Sequence, residues 1–134
     1  MPEKATIERA KADLRAGKSA STAAGEFVRE EIDHIREGKH GARSPEQAIA
    51  IGLSKARRAG VPLKPPKKGQ AKKSTRRAAA RDYGVGQGKR KSSTSSRKRS
   101  TAMRKRLKRE PKSSVSRAAL SRHAKRVARK RKRA

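Results

Sequence analysis

Large apolar residues recur at helical spacing through the first sixty positions of the chain and then all but stop. They are Ile7, Leu14, Phe27, Val28, Ile32, Ile35, Ile49, Ile51 and Leu53, followed by Val61 and Leu63. Ile7, Ala10 and Leu14 share one face of a first helix that begins near Pro2 and stops at Gly17. Gly17 to Ser21 reads as a loop, with Ser21 or Thr22 capping a second helix that runs to about Glu37. The stripe of that helix is Ala24, Val28, Ile32 and Ile35, with Phe27 beside it. Glu26, Glu30, Glu31 and Asp33 make much of the remaining surface acidic.

The third helix has the sharpest local signals. Ser44-Pro45-Glu46-Gln47 is a capping box with proline in the first turn, Ile49, Leu53 and Ala56 repeat at spacings of four and three, and Gly60-Val61-Pro62 ends the run. Helices two and three are joined by seven residues, Gly38 to Ser44. They predict an antiparallel hairpin with Ile32 and Ile35 facing Ile49 and Leu53.

Beyond residue 62 the pattern changes. Lys64-Pro65-Pro66-Lys67-Lys68-Gly69 reads as a linker, Ser74 to Tyr83 as a brief helix, Gly84-Val85-Gly86-Gln87-Gly88 as a flexible break, and Lys89 to Ser100 as a Ser, Lys and Arg low-complexity run. Thr101 to Glu110 and Ser116 to Arg133 become helical once their charge is neutralised, with Pro111 and a serine-rich turn between them. The expected fold is mainly α, with short N-terminal helices and an αα-hairpin in residues 1–62. A largely disordered basic tail with transient helices follows in residues 63–134.

Charge sharpens this division. Residues 1–60 carry 12 basic and 9 acidic side chains, a net of +3, whereas residues 61–134 carry 29 and 2, a net of +27. Such a segment repels itself unless a polyanion neutralises it, and in cells DNA and RNA are the abundant polyanions. With no cysteine, disulfides and thiolate metal sites are excluded. No apolar run approaches membrane-spanning length and no leader-like segment follows the N-terminus, so a soluble intracellular protein is expected.

Signals for chemistry are sparse. Gly38-Lys39-His40-Gly41 has the GxxG spacing with which KH modules clamp a nucleic-acid backbone, but no strand accompanies it and a plain connecting turn explains it as well. The third helix offers little to base edges for helix-turn-helix readout. Gly17-Lys18-Ser19 lacks the upstream glycine of a P-loop, with Ala12 in its place, and the glycines at 84, 86 and 88 lack dinucleotide-site spacing. Glu30 and His34 stand one turn apart, yet no third and fourth metal ligand is evident among His40 and His123, and an ion pair suffices. No nucleophile with a fixed base stands out, so neither enzyme activity nor a cofactor or small-molecule substrate is expected. With only Phe27 and Tyr83 as aromatics, duplex backbone binding fits better than single-strand stacking.

The stretches Ala24 to Ile32, Gly38 to Ser44 and Gln47 to Gly60 resemble a family of small uncharacterised bacterial proteins with basic tails, some loosely labelled DNA-binding or plasmid-stabilisation proteins. The tail is similar in composition to histone H1-like segments. The resemblance implies a bacterial cytoplasm and nucleoid and brings no catalytic residues with it. The function expected is non-sequence-specific, histone-like DNA binding by phosphate neutralisation. Two alternatives stay open: an RNA- or ribosome-associated factor, and an adaptor that recruits a protein partner through the N-terminal helices. On the head, the candidate contacts are Lys39, His40, Arg43, Arg57 and Arg58. In the first part of the tail they are Lys67, Lys68, Lys72, Lys73, Arg76, Arg77, Lys89, Arg90 and Lys91. Then come Arg97, Lys98, Arg99, Arg104, Lys105, Arg106, Lys108 and Arg109, and finally Arg122, Lys125, Arg126, Arg129, Lys130, Arg131, Lys132 and Arg133.

Overall fold

A computed structural model describes residues 2–91 and 97–133, leaving out the Arg133 side chain. Among the described residues the helices are α1 (Lys4–Arg15), α2 (Ala20–Arg36), α3 (Pro45–Arg58), α4 (Lys73–Gly86), α5 (Arg97–Arg109) and α6 (Arg117–Arg133), with a 3-10 turn over Ser113–Val115. None is long and apolar enough to cross a membrane.

The first three helices follow their sequence signals closely. Ser19, rather than Ser21 or Thr22, caps α2 by accepting the Thr22 N–H at 3.2 Å. At α3 the Ser44 hydroxyl accepts the Gln47 N–H at 3.2 Å, and Gln47 reaches back to the Arg43 N–H at 2.6 Å. Two orphan donors are thereby satisfied at the helix start.

The chain does not divide near residue 62. One unit is formed by Met1–Glu30 with Ile51–Thr94, the other by Glu31–Ala50 with Ser95–Ala134. In the first, Ala10, Ala23, Ala24, Phe27, Ala56 and Val61 are buried together, with Ile7, Leu14, Leu53 and Leu63 against them. Four of the six buried residues are alanines, which suits a chain poor in large side chains, because small residues let helix backbones approach closely. Gly52 of α3 sits directly on the Val28 backbone of α2. In the second unit Ile35, Ala42, Ala48 and Val115 form the buried cluster, with Ile32 packed on it. The expected hairpin pairing is therefore corrected: Ile35 meets Ala48 and Val115, whereas Leu53 belongs to the Phe27 cluster.

The expectation of a largely disordered tail is overturned, since α4, α5, α6 and the 3-10 turn all lie within residues 63–134. Charge density forbids such a segment from collapsing on itself, but it does not have to. Residues of the first half supply the missing apolar and hydrogen-bonding surface. Within the first unit, Ser54 Oγ donates to Asp82 at 2.7 Å and Gln87 Nε2 to the Gly60 carbonyl at 3.2 Å. The expected flexible break is also corrected, because Gly84 and Gly86 lie inside α4. Gly86 is pressed against the Arg57 carbonyl so tightly that a Cβ would overlap it. Within the second unit, the Gly41 N–H donates to the Leu107 carbonyl at 2.8 Å and the Ala42 N–H to the Pro111 carbonyl at 3.1 Å. Arg36 holds the Val115 carbonyl at 3.3 and 3.2 Å through Nε and Nη2. Part of the expected low-complexity run, residues 92–96, lies outside the described residues.

Glycine at position 41 has a steric origin, since any Cβ there would collide with the Glu110 carbonyl. Gly41→Ala should therefore destabilise the protein by about 1–3 kcal/mol. Gly25, exposed inside α2 with nothing within 4 Å of a Cβ, should give the opposite sign, a gain of roughly 0.5–1 kcal/mol on Gly25→Ala. Urea denaturation of the full chain followed by circular dichroism checks both.

Candidate nucleic-acid interface

The two units share the positive charge far more evenly than the two halves of the sequence do. The first carries 20 basic and 6 acidic side chains, net +14, and the second 21 and 5, net +16. In the first unit Lys67, Lys68, Lys72, Lys73, Arg77, Lys89, Arg90, Lys91 and Arg58 are exposed and Arg76 is half-buried. In the second unit Lys39, Arg43 and the described cations of α5 and α6 named above are exposed, and the Arg133 side chain lies outside the described ones.

Two expected contacts are corrected. Arg57 is buried and its guanidinium holds the chain just past α3, donating to the carbonyls of Leu63 at 3.1 Å and Lys64 at 3.4 Å. Burial pulls its pKa below the ordinary arginine value, with Asp82 opposing. This side chain is a brace for the first unit. His40 also turns inward, with Nε2 3.3 Å from the fully buried Glu31 carboxylate. Gly41 is covered by Glu110 and Pro111, so the GxxG loop is not open for a phosphate backbone to approach at its second glycine.

What the second unit does assemble is a recess of about 450 Å³ whose lining includes Arg43, Ser44, Ser113, Ser116, Arg122 and Arg126. The start of α3 turns the positive end of its dipole toward this place, as at many anion sites, although its own first backbone donors are taken by Ser44 and Gln47. Glu46, in the first turn of α3, ties α6 to this place: its Oε1 accepts from His123 Nδ1 at 3.0 Å and lies 3.4 Å from Arg126 Nη2. Ser116 caps α6 by accepting the Ala119 N–H at 3.1 Å. The sequence places Arg43 in the loop before α3 and Arg122 and Arg126 in the last cationic stretch, with Ser44 as a helix cap and Ser113 in a serine-rich turn. Their convergence depends on Val115 docking onto Ile35, Ala42 and Ala48, and no local pattern announces it.

No family model, curated protein or solved structure matches the chain. Its chemistry must be read from its own residues.

The Glu46 carboxyl is held below its ordinary value chiefly by its own backbone N–H, then by the hydrogen bond and charge of His123 and by Ser44, with burial opposing. A depressed carboxyl stabilises the fold above its unfolded value of about 4.3 and loses that contribution as pH falls through the folded value. Glu46→Gln should accordingly be less stable than the parent at pH 7 and indistinguishable from it near pH 2, in thermal melts at matched ionic strength. A gap that stays constant across this range would show that the charge of Glu46 contributes nothing.

Proposed function

We propose that this protein binds nucleic acid through its phosphates without sequence preference, with duplex DNA as the main ligand, in the manner of a bacterial nucleoid-associated protein. The observation that carries the reading is the charge of α5 and α6. α5 has 8 Lys or Arg among 13 residues, α6 has 9 among 17, and neither contains an acid. α5 buries none of its residues. Cations at i and i+4, such as Arg104 with Lys108 and Arg122 with Arg126, repel by a few tenths of a kcal/mol per pair, and a polyanion relieves that cost. Three arginines and the head of α3 around one recess add a place where a backbone phosphate is gripped rather than merely neutralised.

Duplex is favoured over single strands because stacking platforms are missing: Phe27 is buried in the first unit, and Tyr83, half-buried on α4, is the only other aromatic. The adaptor reading loses support. Part of its acidic face is occupied within the first unit, where Glu26 pairs with Arg9 at 3.2 Å and Glu30 accepts from the Thr6 hydroxyl at 3.0 Å and the Glu3 N–H. The apolar side of α2 is taken up as well, Ala23, Ala24 and Phe27 within the first unit and Ile32 and Ile35 within the second.

Because each unit draws on both halves of the sequence, the test uses the full chain. With about ten phosphates contacted, log K against log salt concentration should fall with a slope of roughly −9 on duplex DNA, alike for unrelated sequences. Tighter binding to structured RNA than to duplex DNA at equal salt would reassign the ligand. A shallow slope, or retention in molar salt, would refute phosphate neutralisation altogether.

A further inference from the structure

Glu31 and His34 are three residues apart on α2 and therefore share a face. The helix ends just beyond them at Gly38, whose positive φ of 85° is that of a left-handed C-cap. The reversal is closed by the Gly38 N–H on the Ile35 carbonyl and the Lys39 N–H on the His34 carbonyl, both at 3.0 Å. It folds the next residue, His40, back onto the same face. One ligand atom from each of Glu31, His34 and His40 then lies within 4.8 Å of the others. All three belong to the second unit.

Two details raise this cluster above chance proximity. The Glu31 side chain is fully buried, which is costly for a carboxylate unless a cation or proton answers it. The orientation of His40 is also decided: its Nδ1 lies 2.9 Å from the Gly41 carbonyl, an oxygen that only accepts, so Nδ1 carries the proton. In the neutral ring Nε2 is then a bare lone pair, and it faces the Glu31 carboxylate at 3.3 Å. Two acceptors at that distance require a proton or a metal ion between them. A backbone carbonyl that fixes the tautomer through the far ring nitrogen is the usual second-shell support of a metal-ligating histidine. Moreover, 3.3 Å is the ligand–ligand edge of a tetrahedron built on bonds of about 2.0–2.1 Å.

We propose that Glu31, His34 and His40 bind a divalent transition-metal ion of the Zn2+ class. Two imidazoles and one carboxylate form a borderline nitrogen and oxygen donor set that suits Zn2+ or Co2+, not Ca2+ or Mg2+, which want all-oxygen shells. Three protein ligands leave a fourth position for water or an incoming group. The ion would tie the end of α2 to the loop that carries Gly41 and Ala42, whose N–H groups hold Leu107 and Pro111. It would therefore brace the seating of α5 and of the 3-10 turn. In the sequence Glu30 stood beside His34 with no further ligand evident among His40 and His123; the turn beyond the helix stop is what brings His40 to Glu31 and His34.

The test is calorimetric titration of the tag-free full chain with Zn2+, and with Co2+ for its d–d absorption. One ion per chain should bind and raise the melting temperature, and the cobalt adduct should show the intense visible bands of a tetrahedral site. His34→Ala and His40→Ala should each weaken binding at least 10-fold, while Asp33→Asn, an exposed carboxylate on the same helix, should leave it unchanged. If the histidine variants fail to fold, X-ray absorption on the zinc-loaded parent decides: imidazole scattering from two ligands supports the site, and an all-oxygen shell overturns it. Uptake by the parent no greater than by the His34→Ala/His40→Ala double variant would also overturn it, leaving a protonated His40 paired with Glu31.

Discussion

The second unit depends on one join: the backbone N–H groups of Gly41 and Ala42 donating to Leu107 and Pro111, with Val115 buried against Ile35, Ala42 and Ala48. A segment as cationic as residues 95–134 has no means of collapsing alone, since it offers almost no large apolar side chains and its charges repel. One valine, with two main-chain hydrogen bonds and the Arg36 guanidinium on the Val115 carbonyl, anchors it to residues 31–50. The steric demand at Gly41 follows from the same join, because the approach that makes the hydrogen bond possible leaves no room for a Cβ.

Interleaving has an electrostatic consequence. In sequence the acids sit at one end and the bases at the other; in the fold, each unit combines a moderate stretch with a cationic one and ends near +14 or +16. Both units stay strongly positive, and several acids of the first half are taken up as local partners. Asp13 pairs with Lys18 at 3.4 Å, and Glu46 ties α6 to the start of α3. Basic residues left facing solvent on α5 and α6 are thus presented from a fixed helical frame, which under the proposed function would restrict the entropy lost on binding a polyanion.

A mild and a basic half suggested a folded head and a free tail, and here sequence reasoning misjudged the molecule in an instructive way. The apolar count of residues 63–134 argues that they do not fold alone. It does not show that they stay unfolded, because the surface they need lies up to eighty positions upstream. The same distance hid the recess formed by Arg43, Arg122 and Arg126; the approach of His40 to Glu31 was hidden by the turn at Gly38, and Arg57 passed as a surface cation because nothing local marks it as buried.

What the sequence determined by itself is everything governed by neighbours a few residues apart. The capping box at Ser44, the stops at Gly17, Gly38 and Gly60, the apolar stripe of α2 and the large positive charge belong there, since caps, helical periodicity and net charge are local or additive properties. The tertiary structure alone decided which stretches share a unit, which cations face solvent and which brace the chain, and which ionisable groups meet. Those outcomes depend on close packing of small residues such as Ala23, Ala24, Gly52 and Gly86, where a few ångströms of backbone approach select the partner and no linear pattern records the choice.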